Sequence, residues 1–486
     1  MASCRLIPDP DERMTPADLR RALPLFEDFV RRFAPLLGDD ARAERAQAYL
    51  RGLLLDNADN KTAEAIALKV YGDPSQVRST QVFVSQSPWE DPPLLRELVQ
   101  WVDTELGDAD GVLIFDESSF PKCGTKSVGV ARQYCGALGK LANCQVAVYA
   151  AYAGNGGHTL LDTRLYLHDE WTTDPDRCRA AGVPEGVVFR TKPALAFELL
   201  LGLRDRIRHG WVTFDEVYGR DPGFISGLEE LGERYIGVVP KDVRVWLKRP
   251  VVQEPGPSPR GAPRRKARVA PGEAAPQTVA AIAAGLPATA WQRLTIRQGS
   301  KGTQYAEFAR VRVVAERDDL PGPELWLVVE RGCHQETEIT YYLSNAAVTC
   351  PLRTLVPVGH SRWQVEDCFL RGKDELGLGD YEVQGWRGWH HHQTLVLLAM
   401  WFLVLQQRRL GEKKPARDDA AGHPSAAANG AGRGGGGRSR PARPGPVGLA
   451  TSAQRDGAPE PREDAGHCPP KATAQPARRR AGRPAA

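Results

Sequence analysis

Two short apolar segments, each followed at once by Asp-Glu, constrain this chain more than any other feature of its sequence. Residues 111–120 read GVLIFDESSF and residues 211–219 read WVTFDEVYG, so Asp116 and Asp215 occupy equivalent positions. A short apolar run that closes at polar residues predicts a buried strand. A carboxylate at the end of such a strand is costly unless a cation or a hydrogen-bond donor compensates it. The repeated pattern therefore predicts two strand-end carboxylates that belong to the same site.

Changes in periodicity and composition divide the chain into five regions. Region 1–108 shows helical spacing and contains a helix–turn–helix pattern, which can bind DNA but is more often a packing unit. Region 109–242 alternates strands and helices, 243–345 predicts further strands around a Pro- and Arg-rich basic loop, and 346–410 predicts helices. Region 411–486 is rich in Ala, Gly, Pro and Arg and predicts disorder, because it offers little apolar surface to bury.

The net charge does not identify a partner by itself. Residues 411–486 carry 14 Lys and Arg against 7 Asp and Glu, whereas the rest of the chain carries 50 basic and 53 acidic residues. A nucleic-acid partner would therefore be held by local basic patches. The tail is either a basic arm that adds DNA affinity or a reading frame translated out of register.

Several protein classes are disfavoured. The longest apolar run, at 394–405, is too short for a membrane span and predicts a buried helix. The first residues lack the apolar stretch of a signal peptide. Nine cysteines without a Cys-x-x-Cys pair indicate neither a disulfide framework nor a zinc site. We expect a cytoplasmic, nucleoid-associated protein.

A third carboxylate, Glu366, lies in the segment HSRWQVEDCFLRGKDE. On a helix, Arg362, Glu366 and Lys373 fall within about 40° of one another and share a face. Trp363 and Phe369 lie off this stripe and can anchor the helix. Arg and Glu four residues apart are usually a solvated ion pair. Together with the two strand-end aspartates, however, the pattern favours a catalytic role for Glu366.

Two such aspartates and a helical glutamate form the ligand set of a two-metal phosphoryl-transfer site. Asp116, Asp215 and Glu366 would bind two Mg²⁺ ions, with Mn²⁺ as a substitute, because hard cations prefer oxygen ligands. Two ions about 3.5–4 Å apart activate the attacking oxygen and stabilise the leaving one. Arg362 and Lys373 would neutralise phosphate nearby.

These motifs resemble insertion-sequence transposases of the DDE superfamily, in the insertion-sequence seven-oh-one-like branch, which is related to the insertion-sequence four-like group. The resemblance covers about residues 20–411 and is carried by FDESSFPKCGTKSVGVARQYCGALGKLANCQVAVYAAYA, WVTFDEVYG and RWQVEDCFLRGKDELGLGDYEVQGWRGWHHHQTLVLLA. It implies an α/β fold: an RNase-H-like catalytic core with a β-rich insertion, preceded by a helical N-terminal region. The related group's Tyr-Arg-Glu-Lys signature is matched at its last three positions, whereas Gly359 stands at the Tyr position. Cys123 stands where a second Lys is expected.

The resemblance implies a transposase that binds the ends of its mobile element, cleaves the DNA and joins the 3′-hydroxyl to target DNA. Its partner would be double-stranded DNA, and the DNA-bound form would be a homodimer. Two alternatives stay open. One is a nuclease with the same site that does not join strands, and the other is a catalytically silent DNA-binding remnant.

Other residues support weaker predictions. Glu117 and Glu216 each follow a proposed metal ligand and would point to the opposite strand face, so hydrogen bonding or solvation is predicted for both. Three adjacent histidines at 390–392 cannot converge on one metal and favour a structural role. Basic residues that suit phosphate contacts, although a solvated surface explains each almost as well, are Lys122, Lys126, Arg132, Lys140, Arg264, Arg265 and Lys266.

Overall fold

The computed structural model describes residues 16–55, 60–256, 266–299, 302–332 and 338–412. The tail from residue 413 onward, Arg264 and Arg265 lie outside the described residues. Among the helices of the described ranges, none has the length and apolar content needed to cross a membrane.

Helices form the described residues between 16 and 106 and the last part of the described chain, as helical spacing predicts. The helix–turn–helix pattern is present as α3 and α4, where the side chain of Thr62 caps α3 and Gly72 ends it in a left-handed conformation. The helices are α1 (Pro16–Phe33), α2 (Asp40–Leu54), α3 (Ala63–Tyr71), α4 (Gln76–Ser85), α5 (Asp91–Leu106), α6 (Asp169–Thr172), α7 (Pro175–Ala180), α8 (Lys192–Leu203), α9 (Glu216–Gly219), α10 (Pro222–Glu230), α11 (Val279–Ala284), α12 (Leu352–His360), α13 (Trp363–Asp374) and α14 (Trp386–Glu412).

The first sheet carries both Asp-Glu segments. Its strands are β1 (Val112–Pro121), β2 (Ala131–Cys135), β3 (Lys140–Gly154), β4 (Gly157–Tyr166) and β5 (Trp211–Phe214). β1 lies between β3, with which it pairs antiparallel, and β5, with which it pairs parallel, and both β2 and β4 pair with β3. The mixed α/β character predicted for this region is therefore present.

The prediction that β1 ends at Asp116 is wrong. The strand continues to Pro121, because Asp116 and the five residues after it stay paired with β3. Pairing with β5 does stop there, since the last parallel pair is Phe115 with Phe214. Asp116 thus stands where β1 loses its second neighbour.

The second sheet is built from the later β-rich sequence. Its strands are β6 (Ile236–Val239), β7 (Arg244–Trp246), β10 (Gln277–Thr278), β11 (Gln292–Gly299), β12 (Gly302–Arg317), β13 (Leu320–Gly332) and β14 (Ile339–Ser344), while β8 (Val252–Gln253) and β9 (Arg268–Val269) pair with each other. In the strand–helix–strand unit formed by β5, α10 and β6, parallel pairing is limited to a bridge between Val212 and Tyr235. β6 instead pairs antiparallel with β14.

Helix α14 joins the N-terminal helices to the first sheet. Its apolar run is buried, which confirms the prediction of a buried helix. Two successive polar residues on it face different elements: His392 contacts the Tyr49 hydroxyl of α2 at 2.9 Å, and Gln393 accepts a hydrogen bond from the Tyr149 hydroxyl of β3 at 2.7 Å. The other ring nitrogen of His392 lies 3.0 Å from the Gly377 carbonyl oxygen. A structural role for this histidine follows.

Replacing His392 with Gln should make the protein less sensitive to acid. Burial lowers the pKa of His392 to about 4, whereas histidine in an unfolded chain titrates near about 6.5. The wild type should therefore lose stability relative to the variant as the pH falls from about 6.5 to 4, by about 1.4 kcal/mol per pH unit. Chemical denaturation of both proteins across this pH range measures the difference. A difference that stays constant with pH would contradict the prediction.

Candidate active site

The register of the first sheet brings Asp116 and Asp215 together. Each aspartate directly follows one member of the last parallel pair, Phe115 and Phe214. Asp215 also caps the short helix α9, because its Oδ1 accepts a hydrogen bond from the Val217 amide at 2.9 Å. Asp215 thus has the ordinary role of an aspartate at the end of a strand, which is to cap a helix. It also lies beside a second carboxylate, that of Asp116.

Glu117 completes a group of three carboxylates. One oxygen from each of Asp116, Glu117 and Asp215 lies within 4.8 Å of the others. Burial, and next the negative charge of Asp215, raise the pKa of Asp116 well above its usual range. Burial, and next the charge of Glu117, raise the pKa of Asp215 to about 6. Crowded, desolvated carboxylate oxygens of this kind fit a hard divalent cation, which would relieve both effects.

Arg362, just before α13, supplies positive charge to the site. Its Nη1 lies 3.1 Å from Asp116 Oδ2, and its Nη2 lies 2.7 Å from Glu366 Oε1. The side chain of Asp116 is only 12% exposed, so this contact is much less screened than a surface ion pair. One guanidinium therefore links the first aspartate to the helical glutamate.

Glu366 stands outside the group of three carboxylates among the described residues. Its side chain is 56% exposed, and Arg362 is its ion-pair partner. Helix α13 is held against the sheet by the Phe369 ring, which packs edge-on against Tyr149 at 5.2 Å between ring centres. Trp363 packs against His158 in the same way at 5.6 Å. Both aromatic residues anchor the helix as the sequence predicts.

Lys373 lies beside Phe120 of β1. Its Nζ sits 5.6 Å from the centre of the Phe120 ring, and burial lowers its pKa. Phe120 is four residues beyond Asp116 on β1, or about 13 Å along the strand. The helix therefore runs along β1, with Arg362 near the aspartates and Lys373 toward the strand's far end.

Two residues near the site carry no signal in the sequence. Lys192, the first residue of α8, places its Nζ 2.7 Å from Glu117 Oε1, and the buried Tyr218 donates from its hydroxyl to Glu117 Oε2 at 3.0 Å. The prediction that Glu117 is hydrogen-bonded is confirmed. The expectation that it points away from the aspartates is wrong, because one of its oxygens lies within 4.8 Å of an oxygen of each. Only the tertiary fold brings α8 and α9 to β1, so spacing along the chain gives no hint of these partners.

Gly359, at the Tyr position of the signature, lies against another aromatic ring. A Cβ atom added to Gly359 would lie 3.4 Å from Cε1 of Tyr342 on β14. The Tyr342 hydroxyl donates to Glu330 Oε2 at 2.7 Å. An aromatic residue from the second sheet therefore occupies space beside the glycine.

The basic residues that were predicted to contact phosphate differ in exposure and in position. Lys126, Arg132 and Lys140 are exposed and lie on or beside the hairpin of β2 and β3. Lys122 is instead half-buried with its Nζ 3.7 Å from the centre of the Tyr381 ring, and burial lowers its pKa to about 8. Lys266 is exposed and precedes β9.

Comparison with known proteins gives two matches. The family described as DDE superfamily endonuclease matches residues 32–303, which include Asp116 and Asp215 and end before Glu366. A probable transposase for insertion sequence element IS701 from Microchaete diplosiphon is 31% identical over 201 residues, covering 40% of this chain and 49% of that protein. The chain thus matches about half the length of that relative. The resemblance to DDE insertion-sequence transposases is confirmed.

Replacing Arg362 with Gln should destabilise the protein when divalent cations are absent. The change leaves Asp116 buried without its cationic partner, at a cost of about 1–2 kcal/mol, since protonation of the carboxyl limits the penalty. Mg²⁺ should then stabilise the variant more than the wild type, because the cation replaces the lost positive charge. Denaturation in chelator and in Mg²⁺ measures both effects.

Arg220→Gln is the matched control. Arg220 forms an exposed ion pair with Glu216, four residues earlier, and such pairs contribute little to stability. Equal stability losses for Arg362→Gln and Arg220→Gln in chelator would contradict a special role for Arg362.

Proposed function

The chain belongs to the DDE superfamily endonuclease family, and we propose that it is an insertion-sequence transposase. In this proposal the protein binds the ends of its mobile element, cleaves the DNA there and joins the freed 3′-hydroxyl to a target strand. The superfamily implies an RNase-H-like fold, and the first sheet would be its catalytic core. The second sheet, which lies in the sequence largely between Asp215 and Glu366, would be an insertion into that core.

The observation that carries the proposal is the convergence of Asp116 and Asp215 where the parallel pairing of β1 and β5 ends. Carboxylates from distant parts of the chain rarely meet in a buried place without compensation, because their mutual repulsion costs stability. Arg362 meets Asp116, but within the described ranges no ion pair meets Asp215. The pKa of both aspartates remains raised despite this arginine, so the pair is suited to binding a cation.

Asp116, Asp215 and Glu366 would hold two Mg²⁺ ions, with Mn²⁺ as a substitute. When bound, such ions activate the attacking oxygen and stabilise the leaving oxygen. The two aspartates are fixed by the sheet and by the cap of α9, so they would define the reaction centre. Glu366 is exposed on α13 and would complete the ligand set by turning from Arg362 toward the aspartates.

Glu366 is a better third ligand than Glu117. Both oxygens of Glu117 already accept contacts, one from Lys192 and one from Tyr218. Glu366 is held through a single exposed ion pair. We therefore assign Glu117 the task of positioning β1 against α8 and α9, and Glu366 the task of binding metal.

Arg362 would be free to contact DNA once Asp116 and Glu366, its carboxylate partners, bind metal. A guanidinium is planar and pairs well with phosphate oxygens, so Arg362 would contact the phosphate that reacts. Lys373 would contact phosphate farther along the strand, in keeping with its place near Phe120. The DNA-bound form would be a homodimer, which would hold the two ends of one element together.

Replacing Asp116, Asp215 or Glu366 with Ala should abolish DNA cleavage while leaving DNA binding largely intact. The carboxylates act on the reacting phosphate, whereas basic residues supply most of the affinity for DNA. The substrate would be DNA that carries inverted repeats identified by sequencing the DNA beside the gene. Cleavage is followed on gels, and DNA binding is measured in a separate assay. Glu216→Ala, next to Asp215 but exposed, is the control that should retain cleavage. Substantial cleavage by any one of the three variants removes that residue from the site.

The two glutamates near the site should respond differently to a conservative change. Glu366→Gln should eliminate cleavage and weaken the binding of Mn²⁺, whereas Glu117→Gln should reduce cleavage partially and leave Mn²⁺ binding nearly unchanged. Titration calorimetry with Mn²⁺ measures the binding. The reverse order of effects would assign the third ligand to Glu117.

Strand joining separates the proposal from its rivals. Incubation of pre-cleaved end DNA with target plasmid and Mg²⁺ gives joined products only for a transposase. A nuclease of the same fold would cleave without joining, and a silent remnant would bind without cleaving.

A further inference from the structure

Three large apolar side chains project from the hairpin formed by β2 and β3. Tyr134, Leu138 and Leu141 are 58%, 48% and 63% exposed. Tyr134 and Leu141 are direct cross-strand partners on the outward side, and Leu138 lies in the turn that joins the strands. Alternate residues of β2 are buried, so the hairpin has a packed side and an open side. Exposed apolar groups clustered on one short element indicate a contact surface.

The charge around these residues has one sign along the chain. No Asp or Glu occurs between Glu117 and Asp162. Lys126, Arg132 and Lys140 are exposed there, and within the described ranges no hydrogen bond or ion pair engages their side chains. Cations of this kind, set beside an aromatic ring, match the phosphates and bases of a nucleic acid.

The loop that carries Lys126 is fixed beside the hairpin. Asn143, on the outward side of β3, donates from its side-chain amide to the Lys122 and Gly124 carbonyl oxygens at 2.7 and 2.8 Å. The Lys122 amide donates to the Asn143 carbonyl oxygen at 3.0 Å. Lys126 therefore belongs to the same surface as Arg132, the register partner of Asn143.

The turn of the hairpin is attached to the catalytic strand. The Ala137 amide donates to the Ser119 hydroxyl oxygen at 2.9 Å, and the Cys135 thiol lies 3.5 Å from the same oxygen. Ser119 is three residues beyond Asp116 on β1, or about 10 Å along the strand. The open side of the hairpin is thus held at a fixed, short distance from the carboxylates.

We propose that this surface, defined by Lys126, Arg132, Tyr134, Leu138, Lys140 and Leu141 and named the hairpin face, binds DNA beside the cleaved phosphate and stacks an unpaired base on Tyr134. The proposal rests on the proposed function. The cations contact the backbone, and Leu141 supports the base from the neighbouring strand. The contact between Ala137 and Ser119 would place the stacked base a few nucleotides from the reacting phosphate.

A second copy of this chain is the competing occupant of the hairpin face. Self-association would bring three uncompensated cations from each copy together, which like-charge repulsion opposes. A polyanion removes that repulsion and uses the aromatic ring as well. The charge pattern therefore favours DNA.

The test compares a blunt DNA duplex with the same duplex carrying a single-stranded 3′ extension that contains 2-aminopurine, in buffer without divalent cations so that no cleavage occurs. Wild-type protein should bind the extended duplex more tightly and quench the 2-aminopurine by stacking. Tyr134→Ala should weaken binding of the extended duplex about tenfold, as expected for loss of one stacked base, and should leave blunt-duplex binding unchanged. Tyr134→Phe keeps the ring and should behave as the wild type.

Charge and apolar contributions are separated by further variants. Arg132→Ala should weaken binding to both DNAs and reduce the slope of log affinity against log salt by about 1. Leu141→Ser should lower the preference for the extended duplex. Leu247→Ser, which changes an exposed leucine (49%) beyond β7, is its matched control and should have no effect.

Each outcome bears on the proposal. Equal binding of both DNAs by wild-type protein and Tyr134→Ala, or an equal loss on both, overturns it. A DNA-free dimer that Tyr134→Ala dissociates in sedimentation assigns the hairpin face to self-association instead. If wild-type protein joins strands but Tyr134→Ala still binds the extended duplex more tightly than the blunt one, this inference fails and the proposed function stands. If Tyr134→Ala binds both duplexes equally while wild-type protein joins no strands, the role of the hairpin face stands and the proposed function fails.

Discussion

The parallel pairing of β1 with β5 is the interaction on which the site depends. It extends over four residue pairs and stops at two phenylalanines, which places two aspartates side by side at the edge of a buried sheet. Apolar packing on both strands stabilises this register, since Val112–Phe115 and Trp211–Phe214 are buried throughout. A slip of one residue would draw an aspartate into the buried apolar run. The hydrophobic pattern therefore fixes the positions of the charged groups.

The rest of the site compensates the resulting concentration of negative charge. Arg362 meets Asp116 from α13, and Lys192 and Tyr218 meet Glu117 from α8 and α9. Asp116 and Glu117 have different partners although one oxygen of each lies within 4.8 Å of the other and of Asp215. The site is thus supported by three separate helical segments. In the part of the chain that the structure describes, no direct ion pair engages Asp215, which leaves this carboxylate for a cation.

The sequence predicted those parts of the structure that depend on local patterns. Apolar periodicity identified α14 and the N-terminal helices, and the repeated strand–Asp pattern identified Asp116 and Asp215 as neighbours. The end of β1 was missed because the polar residues after Asp116 are held by β3 rather than by their own β propensity. The contact of Lys192 with Glu117 and that of Lys373 with Phe120 depend on how distant elements pack. No spacing along the chain records such contacts, and only an assembled fold reveals them.

The adjacent pair His392 and Gln393 has a consequence for how this protein can evolve. His392 is hydrogen-bonded to Tyr49 of the N-terminal helices, and Gln393 is hydrogen-bonded to Tyr149 of the first sheet, both in the buried interior. A recombination event that exchanged the N-terminal helices for another cassette would break one side of this junction and bury an unsatisfied polar group. An exchange of the N-terminal helices would therefore require a compensating change at His392 of α14.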